Sequence, residues 1–491
     1  MSENLLSHTQ SRIGWKGLLS GFVVVCLLDS LALYYATRFT ALLYAMLLMP
    51  LTFLLMGLCL VEMRAFRRAD TALLILFAVW FFLSAALSEY RAGAFLDNRD
   101  YLYALCMQLF VCYPLGSVLD EKPLRRTLRT AAAVSVVLLF LLDAFAVYAA
   151  CTNQYFTFDM GAEYGVGVYT ETVLDSAFHR LTTLYHPNSV GMFSGLAALL
   201  SLYLALTTEK KPWCKGLLFL TLPVFYVCIT MSASRTAMIC LCVAGALMLF
   251  RYLWFRLQTR KLAVRLPAAL LAALALSALL TVLSAPANAA LQRISNRSAD
   301  AAAQAAASSA APVEEAPAYA DSATAAAVEA IGEDTLILDR SVEAEGFSMS
   351  GRTTIWKKAL DTVKATPLTL LFGISPAQVG PVIGPQLNIW TNLMHSSFVQ
   401  ILVSCGVVGL LLFLAFLVLL AVRCIRLFFR ADTDALKAGY LPVLLVFLLL
   451  SAFLESFLVI FPTPFFASLW CFLCAGVVMR PAYAAKKADR A

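Results

Sequence analysis

The chain has 491 residues, of which 61% are hydrophobic and only 14% are charged, and its mean hydropathy is +0.80. This composition excludes a soluble globular protein of this length and indicates a polytopic membrane protein. The formal net charge of +7 is spread between apolar runs, so it reports membrane topology and not a nucleic-acid-binding face. The 13 cysteines lie almost all inside apolar runs, which predicts free thiols without a disulfide framework.

The apolar runs set the fold class, because a membrane-spanning helix needs about 20 mostly apolar residues. That length predicts an all-α polytopic membrane protein with about twelve transmembrane helices. No small-residue cleavage site clearly follows the first run, so we expect the first helix to be retained. The predicted helices cover residues 16–36, 40–61, 71–89, 100–119, 129–150, 187–207, 214–231, 236–253, 266–288, 396–421, 440–460 and 463–480.

The basic residues predict the orientation of these helices. If the N-terminus is cytoplasmic, about two thirds of the 37 Lys and Arg residues fall on the cytoplasmic side. Most of the others lie in one long outer loop, which the positive-inside rule discounts. We therefore expect a multi-pass protein of the cytoplasmic (inner) membrane with both termini in the cytoplasm.

Two predicted outer segments are too long to be simple turns, and they divide the chain. The predicted parts are an N-terminal five-helix membrane part (1–150), an outer loop (151–186), central membrane helices (187–288), a large extracytoplasmic loop before the tenth helix (289–395), C-terminal membrane helices (396–480) and a cytoplasmic tail (481–491).

The large loop changes character along its length. Residues 299–330 are rich in alanine and lack large apolar side chains, which predicts a tether or a loosely packed helix. Residues 353–364 predict an amphipathic helix that lies on the outer leaflet or caps the bundle. Its predicted apolar face consists of Ile355, Trp356, Ala359, Leu360 and Val363.

Four polar residues collect at the predicted outer face, and each has a structural alternative. His186 precedes Pro187 and either caps a helix or belongs to a site. Arg235 lies in a short outer connection, where a guanidinium either reaches lipid phosphates or clamps a substrate diphosphate. Arg352 begins the amphipathic helix, where anions are favoured. His395 lies where the large loop enters the tenth helix and is either a catalytic base or a helix cap.

Three acids lie in the outer halves of predicted helices, where ionisable residues face a cavity or a partner. For Asp29 and Asp143 we favour structural pairing with an arginine. Glu455 lies near the outer end of its helix, which makes it the acid best placed to orient or neutralise a site residue.

Four short patterns carry a resemblance to a known family: YHPNSVG, SASRTA, SGRTTIW and HSSFVQILVSCGVVG. The last contains His395 and Ser396, then nine residues, then Gly406 and Gly409, which spells H-S-x9-G-x-x-G. In this order the patterns resemble the superfamily of O-antigen ligases and Wzy-type O-antigen polymerases over roughly residues 180–420. The H-S-x9-G-x-x-G spacing favours the ligases. The Ala-rich insert departs from the family.

The resemblance implies a GT-C-like glycosyltransferase bundle with its site on the outer face. It also implies transfer of a glycan from an undecaprenyl-diphosphate carrier to an acceptor sugar, without a metal or another cofactor. Arg235 and Arg352 would then bind and neutralise the diphosphate, and His395 would be the general base for the acceptor hydroxyl. His186 and Glu455 are expected at the substrate-binding site. The implied partners are the lipid-linked donor, a glycan or glycolipid acceptor and the bilayer.

Three alternatives remain open from the sequence. A Wzy-type repeat-unit polymerase would share the same motifs. A lipid or solute transporter often has twelve helices with cytoplasmic termini, but no internal repeat is evident and a loop of about a hundred residues is not expected there. Glycan polymerases of the shape, elongation and division family also use lipid-linked diphosphates, but their motifs are not evident in this sequence.

Overall fold

The structure is a computed structural model that describes residues 14–32, 47–62, 68–88, 97–152, 154–157, 165–173, 176–208, 212–309, 352–387, 394–430, 438–458 and 465–480. The predicted tail 481–491 and residues 310–330 of the Ala-rich insert lie outside these ranges.

Helices form most of the described chain. The first half contains α1 (Trp15–Ala32), α2 (Met49–Glu62), α3 (Ala69–Leu87), α4 (Arg99–Cys106), a π-helix (Met107–Cys112), α5 (Leu115–Val118) and α6 (Glu121–Cys151). The centre contains α7 (Pro187–Thr207), α8 (Pro212–Met231), α9 (Arg235–Arg256) and α10 (Leu262–Ser309). The last part contains α11 (Arg352–Lys364), α12 (Pro367–Phe372), α13 (Val379–Ile383), α14 (Ser397–Phe428), α15 (Leu441–Leu454) and α16 (Phe465–Met479), with 3-10 turns at Pro376–Gln378 and Pro385–Leu387.

The polytopic membrane class agrees with these helices. Within the described residues, 8 helices are long and apolar enough to cross a membrane. Three shorter apolar helices occupy Met49–Leu60, Leu441–Leu454 and Phe465–Met479. Each of the predicted membrane segments contains helix, but the total of about twelve crossings stays a prediction.

Helix α7 lies at the centre of the bundle and packs against α6, α8, α9 and α15. Small residues allow the close approach: a Cβ on Gly191 would meet Ser232 Oγ at 2.7 Å, and one on Gly195 would meet the Phe447 ring at 2.7 Å. A helix that buries side chains on all its faces belongs in the middle of a bundle. This packing fixes the N-terminus of α7, where His186 and Asn188 lie.

The all-α prediction is wrong in one place. Residues of the predicted outer loop form a three-stranded antiparallel sheet of β1 (Tyr155–Phe156), β2 (Val166–Val173) and β3 (Ser176–Thr183). The sheet packs on α6 and α7. Strands of eight residues or fewer do not register in a search for long apolar runs, although Val166, Val168 and Thr170 favour extended backbone. The hairpin β2–β3 leads directly into the site.

Helix α10 is also longer than the predicted segment 266–288. It continues through Ser309 as one helix of 48 residues, which corresponds to about 72 Å and exceeds the roughly 30 Å of a bilayer core. The start of the Ala-rich insert, residues 299–309, is therefore the end of this helix. Alanine has the highest helix propensity, which favours a helix in this alanine-rich segment.

The amphipathic helix α11 caps the bundle, because its apolar face packs against other parts of the protein and not against lipid. Its buried side chains are Ile355, Ala359 and Val363, while Leu360 is 38% exposed. These three pack in a separate small core together with Ile374, Val379, Ile383, Met394 and Val403. Val403 belongs to α14, so the large loop is packed directly onto the membrane helix that follows it.

Helix α14 is interrupted at Gly406, whose φ is 69° and ψ is −174°. The interruption leaves carbonyls without helical partners, and the described chain satisfies three of them. Val403 O accepts from Ile374 N at 2.8 Å, Ser404 O accepts from Ser375 N at 3.2 Å, and Cys405 O accepts from Trp80 Nε1 at 2.9 Å. Gly406 is therefore the point at which the loop segment docks onto α14.

Gly406→Ala is expected to destabilise the protein by about 3 kcal/mol or more, because this backbone region is essentially restricted to glycine. A Cβ there would also lie 2.1 Å from Leu371 O. Thermal unfolding of the purified variant measures the effect. Gly57→Ala is the matched control, since a Cβ on Gly57 meets nothing within 4 Å inside α2. Equal melting temperatures for the two variants would contradict this account of the motif glycine.

Candidate functional site

Glu455 is the point at which the site residues meet. It lies immediately after α15, and its Oε1 accepts from Arg352 Nη2 at 2.8 Å and from Asn188 Nδ2 at 3.0 Å. Its Oε2 lies 3.7 Å from His395 Nδ1. One carboxylate therefore connects α7, α11, α15 and the start of α14. Of the predicted site residues, Arg352, His395 and Glu455 are brought into direct proximity.

The His395 ring has one buried and one exposed part. Nδ1 is buried and has no hydrogen-bond partner within the described residues, whereas the side chain as a whole is 32% exposed. An unpaired buried polar atom costs about 1–3 kcal/mol, and a small approach of Glu455 Oε2 would satisfy it. The exposure belongs to the rest of the ring, so Nε2 is the nitrogen that a ligand can reach.

The backbone of His395 is held in an unusual conformation with a φ of 47°. Non-glycine residues rarely adopt positive φ, and such strain persists only where the surroundings impose it. On the N-terminal side, Met394 N donates to Gln400 Oε1 at 3.0 Å and Met394 O accepts from Trp356 Nε1 at 2.7 Å. On the other side, Ser396 N donates to Ser456 Oγ at 2.9 Å.

Ser397 connects His395 to the segment that carries Glu455. Its Oγ donates to Glu455 O at 3.0 Å and accepts from Phe457 N at 3.1 Å and Leu458 N at 3.0 Å. Its backbone N also donates to Glu455 O at 3.1 Å. The serines after His395 therefore fix the position of the acid relative to the imidazole.

Arg352 and Arg235 each occupy the first position of a helix, α11 and α9 respectively. The positive end of the helix dipole disfavours a cation at that position but attracts anions. A guanidinium there adds charge to an end that is already electropositive. Neither helix has an acidic residue in its first turn to offset this charge. Both positions therefore suit an anionic ligand.

Arg235 differs from Arg352 in its contacts. Its residue is exposed, and within the described part of the chain we find no ion pair for it. The preceding turn is tied to the site region, because Ser232 O accepts from Arg180 Nε at 2.9 Å. Arg235 therefore follows a turn that Arg180 anchors. The structure shows no direct contact between the described side chain of Arg235 and Glu455 or His395.

The sequence analysis singled out neither Arg180 nor Asn188. Arg180 is 8% exposed and bridges Ser232 O and Asn188 Oδ1, the latter at 2.5 Å. The signal that could have identified Arg180 is its place on the predicted outer side, where the positive-inside rule makes an arginine unusual. Because the sequence analysis did not predict the sheet, it did not place Arg180 in a strand.

His186 is the N-cap of α7. Its Nδ1 accepts a hydrogen bond from Asn188 N at 3.2 Å, and Pro187 occupies the first helical position. This geometry matches the capping alternative raised for the motif YHPNSVG. A place in substrate binding stays a prediction for His186, whereas its neighbour Asn188 contacts Glu455 directly.

The two other membrane acids do not pair with an arginine among the described residues. Asp143 of α6 accepts from Ser194 Oγ of α7 at 2.6 Å, so it joins two helices through a hydroxyl. Asp29 is 8% exposed in α1. The expected pairing of these acids with arginine is therefore wrong for Asp143, because the partner that α7 presents is a serine.

Comparison with known proteins agrees with the motifs. Residues 216–414 match a family model described as O-antigen ligase. The chain carries an O-antigen ligase domain. The domain includes Arg235, Arg352 and His395, whereas Arg180, Asn188 and Glu455 lie outside the matched range. No curated protein matches the chain.

The O-antigen ligase match favours one of the classes left open by the sequence. It supports a membrane enzyme of the ligase and polymerase type in polysaccharide biosynthesis. The domain joins the helices α8 to α10, the described part of the large loop and the first half of α14. Of its three polar motif residues, all of them described, Arg352 and His395 meet at Glu455 after the end of α15, whereas Arg235 makes no direct contact with them.

Proposed function

We propose that this protein is a glycosyltransferase of the O-antigen ligase type that moves a glycan from an undecaprenyl-diphosphate carrier to an acceptor hydroxyl on the outer face of the inner membrane. The observation that carries the proposal is the placement of His395 against Glu455, with Arg352 on the same carboxylate. The imidazole provides a base, the carboxylate provides its orienting partner, and the guanidinium at the start of α11 provides an anion site.

The proposed reaction is a displacement at the anomeric carbon of the donor glycan. The acceptor oxygen forms a bond to that carbon while the bond from the carbon to the diphosphate oxygen breaks. The bonding electrons leave with the diphosphate, and the acceptor proton passes to His395 Nε2. The protein supplies positioning and charge stabilisation, because a diphosphate is already a good leaving group.

The orientation of His395 assigns different tasks to its two nitrogens. Nδ1 faces Glu455 Oε2 across 3.7 Å and is the nitrogen that would carry a proton toward the carboxylate. Nε2 then has a free lone pair for the acceptor hydroxyl. After proton transfer the ring is cationic, and the nearby carboxylate stabilises that charge. Glu455 is therefore proposed to orient the base, without itself exchanging the proton.

Arg352 and Arg235 are proposed to receive the diphosphate. Its charge increases as the anomeric bond breaks, so guanidinium groups that hold it stabilise the transition state more than the ground state. Arginine offers two parallel N–H donors that match phosphate oxygens, which a lysine does not. We propose no metal or other cofactor for this step.

Contacts between helix ends support the proposed topology. Arg68 contacts Met479 O, Arg129 Nη2 donates to Thr207 O at 2.7 Å, and Arg480 Nη1 lies 3.3 Å from Glu121 Oε2. All of these residues lie on the side predicted to be cytoplasmic. The Glu455 cluster joins the helix ends on the opposite side. We therefore propose cytoplasmic termini and an external site.

A transfer assay with the purified protein in lipid nanodiscs tests the proposal. With a lipid-linked glycan and a glycolipid acceptor, we expect a longer acceptor and loss of glycan from the carrier. A repeat-unit polymerase, the alternative that would share the same sequence motifs, would instead elongate the donor when no other acceptor is present. A donor that stays unchanged both with the glycolipid acceptor and without it would contradict the proposal.

A further inference from the structure

The strongest unassigned feature is a chain of hydrogen bonds that reaches Glu455 from the side opposite Arg352. Ser232 O accepts from Arg180 Nε, Arg180 Nη2 donates to Asn188 Oδ1, and Asn188 Nδ2 donates to Glu455 Oε1. The chain starts at the turn before Arg235 and ends at the acid that faces His395. It therefore connects the two ends of the proposed site through protein atoms.

The chemistry of its members allows only one orientation of Asn188. A guanidinium can only donate hydrogen bonds, and an ionised carboxylate can only accept them. The Asn188 amide must therefore turn its oxygen toward Arg180 and its nitrogen toward Glu455. Arg180 is held by Ser232 and is 8% exposed, so its position is fixed by the fold.

Glu455 Oε1 has two donors of different kinds, Arg352 at 2.8 Å and Asn188 at 3.0 Å. The Arg352 contact is an ion pair between partly exposed side chains, which are 23% and 16% exposed. A diphosphate carries more negative charge than one carboxylate and competes for the same guanidinium. The neutral amide of Asn188 is not drawn to an anion in this way and stays on Glu455.

We propose that Asn188, oriented by Arg180, is the positioning residue that keeps Glu455 opposite His395 when Arg352 turns from Glu455 to the donor diphosphate. The inference rests on the proposed function, because it assigns the diphosphate as the ligand of Arg352. Asn188 acts through Glu455 and does not touch the reacting atoms. Because Asn188 keeps its bond to Oε1 of Glu455, Oε2 continues to face the unpaired Nδ1 of His395 after Arg352 has turned away.

The isosteric variant Asn188→Asp tests this role, because it keeps an acceptor for Arg180 and loses the donor to Glu455. We expect kcat to fall by about a hundredfold, the usual effect of a misplaced reacting group, with little change in KM for the donor. Arg352→Lys, in contrast, is expected both to lower kcat and to weaken binding of undecaprenyl diphosphate. Ser189→Ala, one residue away on the same helix turn, is the control and is expected to keep the wild-type kcat and KM.

A double variant separates a shared role from two independent ones. Arg180→Lys retains the charge but cannot reproduce both contacts, so it is expected to lower kcat alone. Asn188→Asp with Arg180→Lys should be no slower than the slower single variant, because both changes break one chain. Size-exclusion profile and melting temperature identify a variant that fails to fold, and the other single variant then gives the kcat comparison.

Three results would overturn the inference while leaving transfer by the wild type intact. They are a wild-type kcat in folded Asn188→Asp, multiplied losses in the double variant, and a loss expressed only in donor KM. Absence of transfer by the wild-type protein would instead contradict the proposed function.

Discussion

Replacement of His395 by asparagine is expected to lower the single-turnover transfer rate by roughly two to four orders of magnitude, the usual contribution of a positioned general base. Asparagine suits this position better than alanine as a test, because it tolerates the positive φ of 47° that the site imposes. The variant therefore removes the base and leaves the backbone unstrained. Binding of the lipid-linked donor is expected to survive, since the arginines remain.

The structural alternative for His395 predicts a different result. If His395 only caps α14 or forms a hydrogen bond with the loop, an amide side chain can take over that role. His395→Asn and His395→Gln would then retain most of the activity. His395→Ala reports the combined effect of losing the base and straining the backbone. Rapid mixing of enzyme–donor complex with acceptor isolates the chemical step from donor binding and product release.

Arg352→Lys is expected to lower kcat/KM by about a hundredfold to a thousandfold, the range found when one donor to a developing anion is lost. Lysine keeps the charge but lacks the two parallel donors. Its ammonium would also hold Glu455 with different geometry from the present contact of 2.8 Å. The measurement is initial transfer rate against donor concentration, with the same series for Arg235→Lys.

Lys357→Ala is the matched control for Arg352→Lys. Lys357 is an exposed cation about 1.4 turns further along α11, so it contributes a similar long-range field. We expect a small change for Lys357→Ala and a large one for Arg352→Lys. A loss in Lys357→Ala with near wild-type transfer in Arg352→Lys, which keeps the charge, would show that the helix attracts the donor by net charge alone and that the guanidinium has no specific place in the site.

The sequence predicted the parts of the fold and site that depend on local signals. Long apolar runs located the membrane helices, and the interface positions of Arg352, His395 and Glu455 drew attention to the residues that meet in the structure. The amphipathic pattern of α11 correctly indicated burial of Ile355, Ala359 and Val363. It did not predict the exposure of Leu360, because the partner of that face is the loop itself.

The features that the sequence did not predict depend on distant contacts. The interruption of α14 at Gly406 lies inside an unbroken apolar run, and the groups that satisfy its carbonyls come from Trp80 and the segment at Ile374. The orientation of Asn188 depends on Arg180 and Glu455, the latter 267 residues away along the chain. Neither arrangement is encoded in a local pattern of apolar and polar residues.

The central claim is that the bond from the sugar to the carrier diphosphate breaks on the sugar side, and the fate of oxygen tests it most directly. The wild-type protein would be given the lipid-linked donor and an acceptor whose attacking hydroxyl carries ¹⁸O. Mass spectrometry of both products should find the label in the new glycosidic bond and the carrier released as undecaprenyl diphosphate. Release of undecaprenyl monophosphate, or a product without the label, would contradict the account.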